Sequence, residues 1–284
     1  MAGDVTVRAL RTLDEIAPLE RLQTDIWGYG AASTPVYPAR GLLAFVESGG
    51  LVGGACDAQD TLLGFSAAWI GREHDRARLY LHSQIVGVLE PYRDRGVGRL
   101  LKLQQRDFAI AHGMALVKWT FDPLRPRNAY VNLHKLGAVA RRFAPNLYGS
   151  LGGTLNAGRS TDRLWAEWYV RSAHVERRLA GLGAAAGPPA GAALNRLTRE
   201  GSRWRMPEIA ADRTAPTLLL DLPADLDRPD EATAALVREI QPRLRAAFER
   251  YLPRYTITDC ARLADRVTYV LQRDVEADIA DPLV

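Results

Sequence analysis

The run from Leu79 to Leu101, LYLHSQIVGVLEPYRDRGVGRLL, narrows the choice of folds more than any other stretch of the chain. Leu79 to Val88 carries the strongest strand signal, dense in branched and aromatic residues. Glu90-Pro91 stops it, and glycines at 96 and 98 open directly into a helical pattern from Gly96 to His112. That pattern places Val97, Leu100, Leu101, Phe108 and Ala111 toward a core. A strand that feeds a helix across so short a glycine turn gathers the helix's first N–H groups at the strand's end. Those donors have no partner within the helix, and its dipole adds about half a positive charge there. The arrangement suits a phosphate or a diphosphate, and Arg93 and Arg95 add cationic donors beside it. Two nucleotide-binding patterns fail, since a third glycine would be needed near 101, where leucine stands, and no Lys-Ser/Thr pair follows. A purely structural turn is the other reading that the two glycines alone support.

The flanking pattern supplies the rest of the fold. Asp4 to Leu10 alternates as a first strand, and Leu13 to Trp27 reads as one helix with Ile16, Leu19, Leu22 and Ile26 on one face. Pro35 and Pro38 precede a short helix over Ala39 to Glu47, which ends at Gly49-Gly50. Leu51 to Cys56 and Leu62 to Ile70 flank Asp57-Ala-Gln-Asp60 as a hairpin. After the central run come a strand at Leu116 to Phe121, a helix near Asn128 to Leu136, and strands near Ala138 to Phe143 and Leu164 to Val170. This order predicts an α+β fold, a mixed and mostly antiparallel sheet with helices on both faces. Ala180 to Ala193, AGLGAAAGPPAGAA, cannot bury enough apolar surface to order itself and reads as a linker. The expected division is a domain over 1–175, a linker over 176–214 and a small βαββ domain over 215–284. In the last, strands at Thr217 to Leu222, Tyr255 to Cys260 and Arg266 to Leu271 surround a helix over Glu231 to Leu252. Pro242 should kink or split that helix. The strand-helix-strand-strand order repeats the second half of the first domain, a weak sign of a degenerate half-duplication.

Composition removes several classes of function. The 284 residues are 47% hydrophobic and 25% charged, ordinary values for a globular chain. No apolar run approaches the ~20 residues of a membrane span, and Met1 to Leu10 lacks the features of a secretory signal. A soluble cytoplasmic protein is expected. Cys56 and Cys260 form neither a disulfide framework nor a zinc pattern, and the histidines lack metal-site spacing, so no metal is expected. Lysine occurs only at 102, 118 and 135, and acidic residues are dispersed among the many arginines. Such dispersion gives a nucleic-acid partner little support.

With these residues laid out, a resemblance emerges. Arg93-Asp-Arg-Gly96-Val-Gly98, behind a strong strand and ahead of a helix, resembles the Arg/Gln-x-x-Gly-x-Gly/Ala motif of the GNAT acetyltransferases. Asn128-Ala-Tyr-Val-Asn-Leu-His-Lys-Leu-Gly137 resembles the Asn-x-x-Ala…Lys-x-Gly helix of the same superfamily. The likeness runs from Asp4 to Val170, and Tyr80 to Gly98 with Trp119 to Gly137 resembles a bacterial branch with a C-terminal extension.

The resemblance implies an acyl-CoA co-substrate, acetyl-CoA or another acyl-CoA. Backbone amides over Arg93, Asp94, Arg95, Gly96, Val97 and Gly98 would then cradle the CoA diphosphate. Backbone groups of Val86 and Val88 would pair with the pantetheine arm as an added strand. The amide of Val88 would also face the thioester oxygen, and Asn128 would touch the CoA arm. Where histone-type members carry a catalytic carboxylate on this strand, the chain has His82, an imidazole able to take a proton from an incoming ammonium. His82 reads equally well as a strand histidine with a satisfied hydrogen bond. The position of the tyrosine that protonates the leaving thiolate in many members is Leu133, with Tyr130, His134 and Tyr148 nearby in sequence. Arg125 and Arg127 fall in a loop that borders the acceptor cleft in relatives, where they would bind a carboxylate on the acceptor or acyl group. In an arginine-rich chain they also read as solvated loop residues. Trp27, Trp119 and Phe121 read as lining for an apolar acceptor pocket or as core.

The expected activity is transfer of an acetyl or succinyl-like group to a small primary amine, such as an amino acid, by direct attack. No Ser-His-Asp or Cys-His constellation argues for a covalent intermediate. The competing reading is a CoA-binding regulatory module whose catalysis has decayed. The C-terminal part would cover the cleft, complete the sheet or form a homodimer contact.

Overall fold

The computed structural model describes residues 5–28, 36–73, 78–149, 160–182, 187–201, 203–228, 230–275 and 279. Asp4, Pro35 and part of the alanine- and glycine-rich stretch named above therefore lie outside the described residues. The chain divides into two compact units, Met1–Trp119 and Thr120–Val284.

In the first unit, β1 (Thr6–Ala9) leads to α1 (Leu13–Ile16) and α2 (Pro18–Trp27). The single helix expected over Leu13 to Trp27 is thus two. Thr12 and Glu15 cap α1 reciprocally, and Pro18, which has no N–H to donate, starts α2 afresh. α3 (Ala39–Glu47) ends at Gly49 (φ +82°), and β2 (Leu51–Cys56) and β3 (Leu62–Arg72) form the expected hairpin. Asp57 fixes its turn by accepting from the amides of Gln59 and Thr61 at 3.0 and 2.8 Å. β4 (Leu79–Val88) pairs antiparallel with β3, α4 (Val97–Ala111) crosses over, and β5 (Leu116–Phe121) returns parallel to β4. The strand order within this unit is β1-β2-β3-β4-β5.

Alternation along these strands separates two cores. Val52, Phe65, Ala67 and Ile85 pack with α1, α2 and α3, through Ile16, Leu19, Leu22, Ile26 and Leu42. Ala55, Val86 and Val88 pack with Val97 and Leu101 of α4. Helices therefore cover both faces, and the expected α+β fold with a mixed, mostly antiparallel sheet is borne out. The buried face of α4 differs from the expected one. It consists of Val97, Leu101, Lys102, Gln105 and Ala109, while Ala111 is exposed and Phe108 stacks on His112 with ring centroids 4.0 Å apart.

In the second unit, α5 (Pro126–Ala129) continues as a π-helical segment over Tyr130–Lys135. β6 (Val139–Ala144) and β7 (Arg163–Tyr169) follow as an antiparallel pair, then α6 (Ala173–Leu179). β8 (Ala192–Ala193) lies parallel to a later strand, and β9 (Thr198–Glu200) with β10 (Arg203–Arg205) makes a separate ribbon. β11 (Thr217–Pro223), α7 (Glu231–Tyr251), β12 (Thr256–Arg262) and β13 (Arg266–Gln272) complete it. The sheet order is β7-β6-β12-β13-β11-β8, with β13 between β11 and β12. α7 buries Leu236, Ile240, Leu244, Ala247, Phe248 and Tyr251, and Phe248 meets Phe143 and Tyr269 at 5.5 and 6.0 Å. Pro242 does not split α7. The ring is exposed, and so is Arg238, whose carbonyl Pro242 leaves without its helical donor; water can satisfy it there.

Candidate functional site

The central feature of the first unit is a fork in its sheet. β4 pairs with β5 only at Leu81↔Val117 and His82↔Lys118, yet β4 runs on to Val88. At that point the β3–β4 register shifts: Ala68 faces Ser83 and Ala67 faces Ile85, so Gln84 is an extra residue. Such a bulge re-aims side chains and steepens the local twist. It sends Ser83 to the α4 side, where it meets Lys102, and Gln84 to the side of α1–α3, where it meets Tyr37.

Beyond the bulge, the register determines where the backbone of β4 points. Leu89 donates to the Leu63 carbonyl at 2.9 Å. Antiparallel pairs alternate between bonded and non-bonded, so Phe65↔Gly87 is bonded and Gly64↔Val88 and Ser66↔Val86 are not. The N–H and C=O groups of Val86 and Val88 therefore point away from β3, along the edge that β5 has left. The Val88 carbonyl accepts from Arg93 Nε at 3.1 Å, and the same guanidinium donates to the Ile26 carbonyl at 2.9 Å. Arg93 thus ties the end of β4 to α2.

The turn that follows rises to α4 through two left-handed residues, Asp94 (φ +62°) and Gly96 (φ +88°). Gly96 is the N-cap, and no side chain bonds the cap. A Cβ at Gly96 would meet nothing within 4 Å, and one at Gly98 would meet only Val88 Cγ2 at 3.9 Å. Arg93, Asp94, Arg95 and Gly96 are exposed, whereas Val97 is buried against Leu101 and anchors the turn. Arg95 lies over the Tyr92 ring at 5.5 Å. The sequence motif therefore folds into an open concavity of main-chain donors at the end of an unpaired strand edge, within one compact unit.

His82 sits on the other face of β4. Its ring stacks on Trp69 (4.9 Å, 22°), and Tyr80 approaches edge-on at 6.2 Å. Phe45 and Tyr37 extend this aromatic wall. Gln84 donates through its amide nitrogen to the Tyr37 hydroxyl at 2.6 Å and presents Oε1 to His82 Nε2 at 3.1 Å. In the neutral ring Nε2 is then the donor, and Nδ1 carries the basic lone pair. Burial lowers the imidazole's pKa from its ordinary value, the hydrogen bond to Gln84 opposes this, and the charges of Lys102 and Lys118 lower it further. Trp27, on the same side, lies over Gly87, where a Cβ would come within 2.7 Å of its ring.

The remaining predicted residues lie in the second unit. Asn128 and Arg127 are exposed on α5, and the Arg127 amide donates to Asp227 at 3.4 Å. Arg125 faces Asp227 at 3.5 Å and Asp122 at 3.8 Å, so a substrate carboxylate there would compete with two carboxylates of the chain. Tyr130 stacks on His134 at 4.7 Å (15°), and His134 Nδ1 lies 2.9 Å from Asp259, which also accepts from Arg178 at 2.6 Å. Leu133 is fully buried, as are Trp119 and Phe121 nearly so, which makes the latter two core residues of their units. Tyr148 meets Thr120 at 2.8 Å.

Two groups escaped the sequence reading. Lys102 is buried on α4, with Nζ 2.8 Å from Ser83 Oγ and 3.6 Å from the centroid of the Trp119 ring. Asp259 holds His134 across 125 positions of sequence. Neither belongs to a local motif, and only the fold brings the partners together. Among the described residues no cluster of His, Cys, Asp and Glu could hold a metal ion, and no helix is long and apolar enough to cross a membrane.

No protein-family model matches the chain, and no curated protein matches it. Solved structures do. A Salmonella typhimurium protein described as an acetyltransferase, solved with acetyl-CoA, is 18% identical, covers 59% of this chain and 95% of its own, and has a TM-score of 0.48. NAA60 of Arabidopsis thaliana, in complex with a bisubstrate analogue, is 17% identical over 58% of this chain and 97% of its own, at 0.45. An Acinetobacter baylyi protein also described as an acetyltransferase is 19% identical over 59% and 93%, at 0.45.

Proposed function

We propose that the chain is an acyl-CoA-dependent N-acyltransferase that moves an acetyl or succinyl-like group to a small primary amine by direct attack. The observation that carries this reading is the pairing of an unoccupied strand edge with an open helix N-terminus. Val86 and Val88 turn their backbone groups along the edge of β4, and the left-handed turn at Gly96 bares the first amides of α4. A pantetheine arm is an extended chain of amides that suits the edge, and its diphosphate suits the amides. The Val88 amide would stabilise the oxyanion that develops on the thioester, and His82, six residues back along β4, would take the proton of the amine through intervening water. Asn128 as a contact to CoA, Tyr130 as an acid, and Arg125 and Arg127 as readers of a carboxylate belong to the same proposal. Positioning and the oxyanion contact supply most of the catalysis.

The experiment is a thermal-shift screen with acetyl-, succinyl- and longer acyl-CoA, followed by thiol-release assays over a panel of amines. A raised melting temperature with turnover supports the reading. The buried Leu133 favours a second one, a CoA-binding module without catalysis; CoA binding with no thiol release from any amine would select it.

A further inference from the structure

The sheet of the second unit carries a bulge of its own. Ile257 of β12 pairs with Leu271 of β13 and Asp259 pairs with Val270, so Thr258 is an extra residue. Tyr269 meets Phe248 of α7, and alternation therefore turns Val270 and Gln272 to the other face of the sheet. The bulge brings Thr258 and Asp259 to that face together, where Arg178 of α6 reaches Asp259 at 2.6 Å. Between α6 and the two strands lies a cavity of about 240 Å³, lined by these residues and by Arg177.

The polar groups of the cavity are unevenly used. Asp259 is fully engaged: Oδ1 accepts from His134 at 2.9 Å and from the Cys260 amide at 2.7 Å, and Oδ2 accepts from Arg178. Thr258 donates its hydroxyl to Gln272 Oε1 at 2.7 Å. The side-chain acceptors are thus taken, and what the cavity offers is donors. They are the Gln272 amide nitrogen, the N–H groups of Arg178 that Asp259 does not use, and Arg177, which has no carboxylate partner among the described residues. Two guanidiniums stand against one carboxylate, the reverse of Arg125, which faces two. Arg178 is also held in place in advance. The left-handed turn at Gly137 (φ +73°) packs on its stem, where a Cβ would come within 3.0 Å of Arg178 Cγ. The rest of the wall is apolar, from Val270, Val275 and Ile279.

We propose that this cavity binds a short aliphatic acid, its carboxylate held by Arg177 and Arg178 and its carbon chain lying against Val270, Val275 and Ile279. The planar fork of an arginine matches the two oxygens of a carboxylate. A cation would meet two like charges, and an uncharged ligand would leave the guanidinium donors without an acceptor. At about 30 Å³ per heavy atom, the volume that a water molecule fills, the space holds about eight heavy atoms, the size of a six-carbon acid. The site lies wholly within the second unit and uses none of the residues assigned to acyl transfer, so it stands whether or not the chain transfers acyl groups.

Calorimetric titration of the full chain with hexanoate tests the proposal, with hexanamide and sulfate as comparison ligands. Hexanoate should bind with a Kd below about 1 mM and raise the melting temperature. Hexanamide keeps the carbon chain without the charge, and sulfate keeps the charge without the chain; each should bind at least about ten-fold more weakly. Arg177→Met removes an exposed guanidinium that no carboxylate of the described chain uses, and should weaken hexanoate about ten-fold. Val275→Asp sets a carboxylate in the apolar wall and should abolish binding. Melting temperatures without ligand confirm folding, and should Val275→Asp fail to fold, Arg177→Met carries the comparison alone. No binding of hexanoate at about 10 mM, equal affinity for sulfate or hexanamide, or parent-like affinity in Arg177→Met overturns the proposal.

Discussion

Gly98 separates the stability of the α4 turn from its binding capacity. It is the second residue of α4, its backbone is helical, and an added methyl would find only Val88 Cγ2 at 3.9 Å, an ordinary contact. Nothing has to move to admit it. Alanine in place of glycine within a helix gains about 0.5–1 kcal/mol, and a first-turn position belongs at the lower end. For a unit of this size that is a rise in Tm of about 2 °C. A methyl leaves the bared amides open to a diphosphate, whereas a leucine side chain would stand between them. Displacing the ligand from its hydrogen bonds should weaken CoA at least ten-fold, or about 1.4 kcal/mol. Gly98→Ala should therefore melt higher and bind like the parent, and Gly98→Leu should bind worse. Gly96→Ala gives the complementary case: its Cβ meets nothing, but φ of +88° is a left-handed conformation that costs an L-residue about 1–2 kcal/mol. It should melt several degrees lower. Differential scanning fluorimetry and calorimetric titration with CoA read both quantities. A folded Gly98→Leu protein that binds CoA like the parent would refute the placement of the diphosphate at this helix end.

Two further outcomes follow from buried groups. His82 must be neutral to accept a proton, and its pKa lies below the ordinary ~6.5, so kcat should hold level down to about that pH and fall beneath it. His82→Ala should lower kcat about 10²-fold and remove that acid limb, as a pH series of thiol release would show. Asp259→Asn leaves Arg178 buried beside an uncharged partner and should cost about 3 kcal/mol at neutral pH. The Asp259 carboxyl lies below the usual carboxylate range because His134 and Arg178 together outweigh its burial. A depressed carboxylate stabilises the fold above its unfolded value of about 3.9 and loses that contribution as pH falls through its folded one. The difference in Tm between Asp259→Asn and parent should therefore close below about pH 4.

The sequence disclosed what local rules govern. Strand β4, the glycine turn and α4 were legible because proline, paired glycines and a change of hydrophobic period mark their ends. Leu116–Phe121 and the strands and helix of the C-terminal part were found for the same reason. The inward face of α4 differs from the sequence expectation because Lys102 and Gln105 look like solvent-facing residues, and only the tertiary fold gives them a buried place. The bulge at Gln84 has no sequence sign either, since it arises from a register between strands rather than from any residue type. Pro18 and Pro242 make the same point from opposite sides. One begins a helix, where its missing N–H is not needed, and the other is absorbed inside one, where the orphaned carbonyl belongs to an exposed residue.

The most direct measurement is backbone amide mapping of isotopically labelled protein during titration with CoA. The account predicts saturable shifts at Val86, Val88 and the amides from Gly96 to Arg99, the strand edge that β5 leaves and the first turn of α4. Shifts confined to other residues, or none at millimolar CoA, would contradict it.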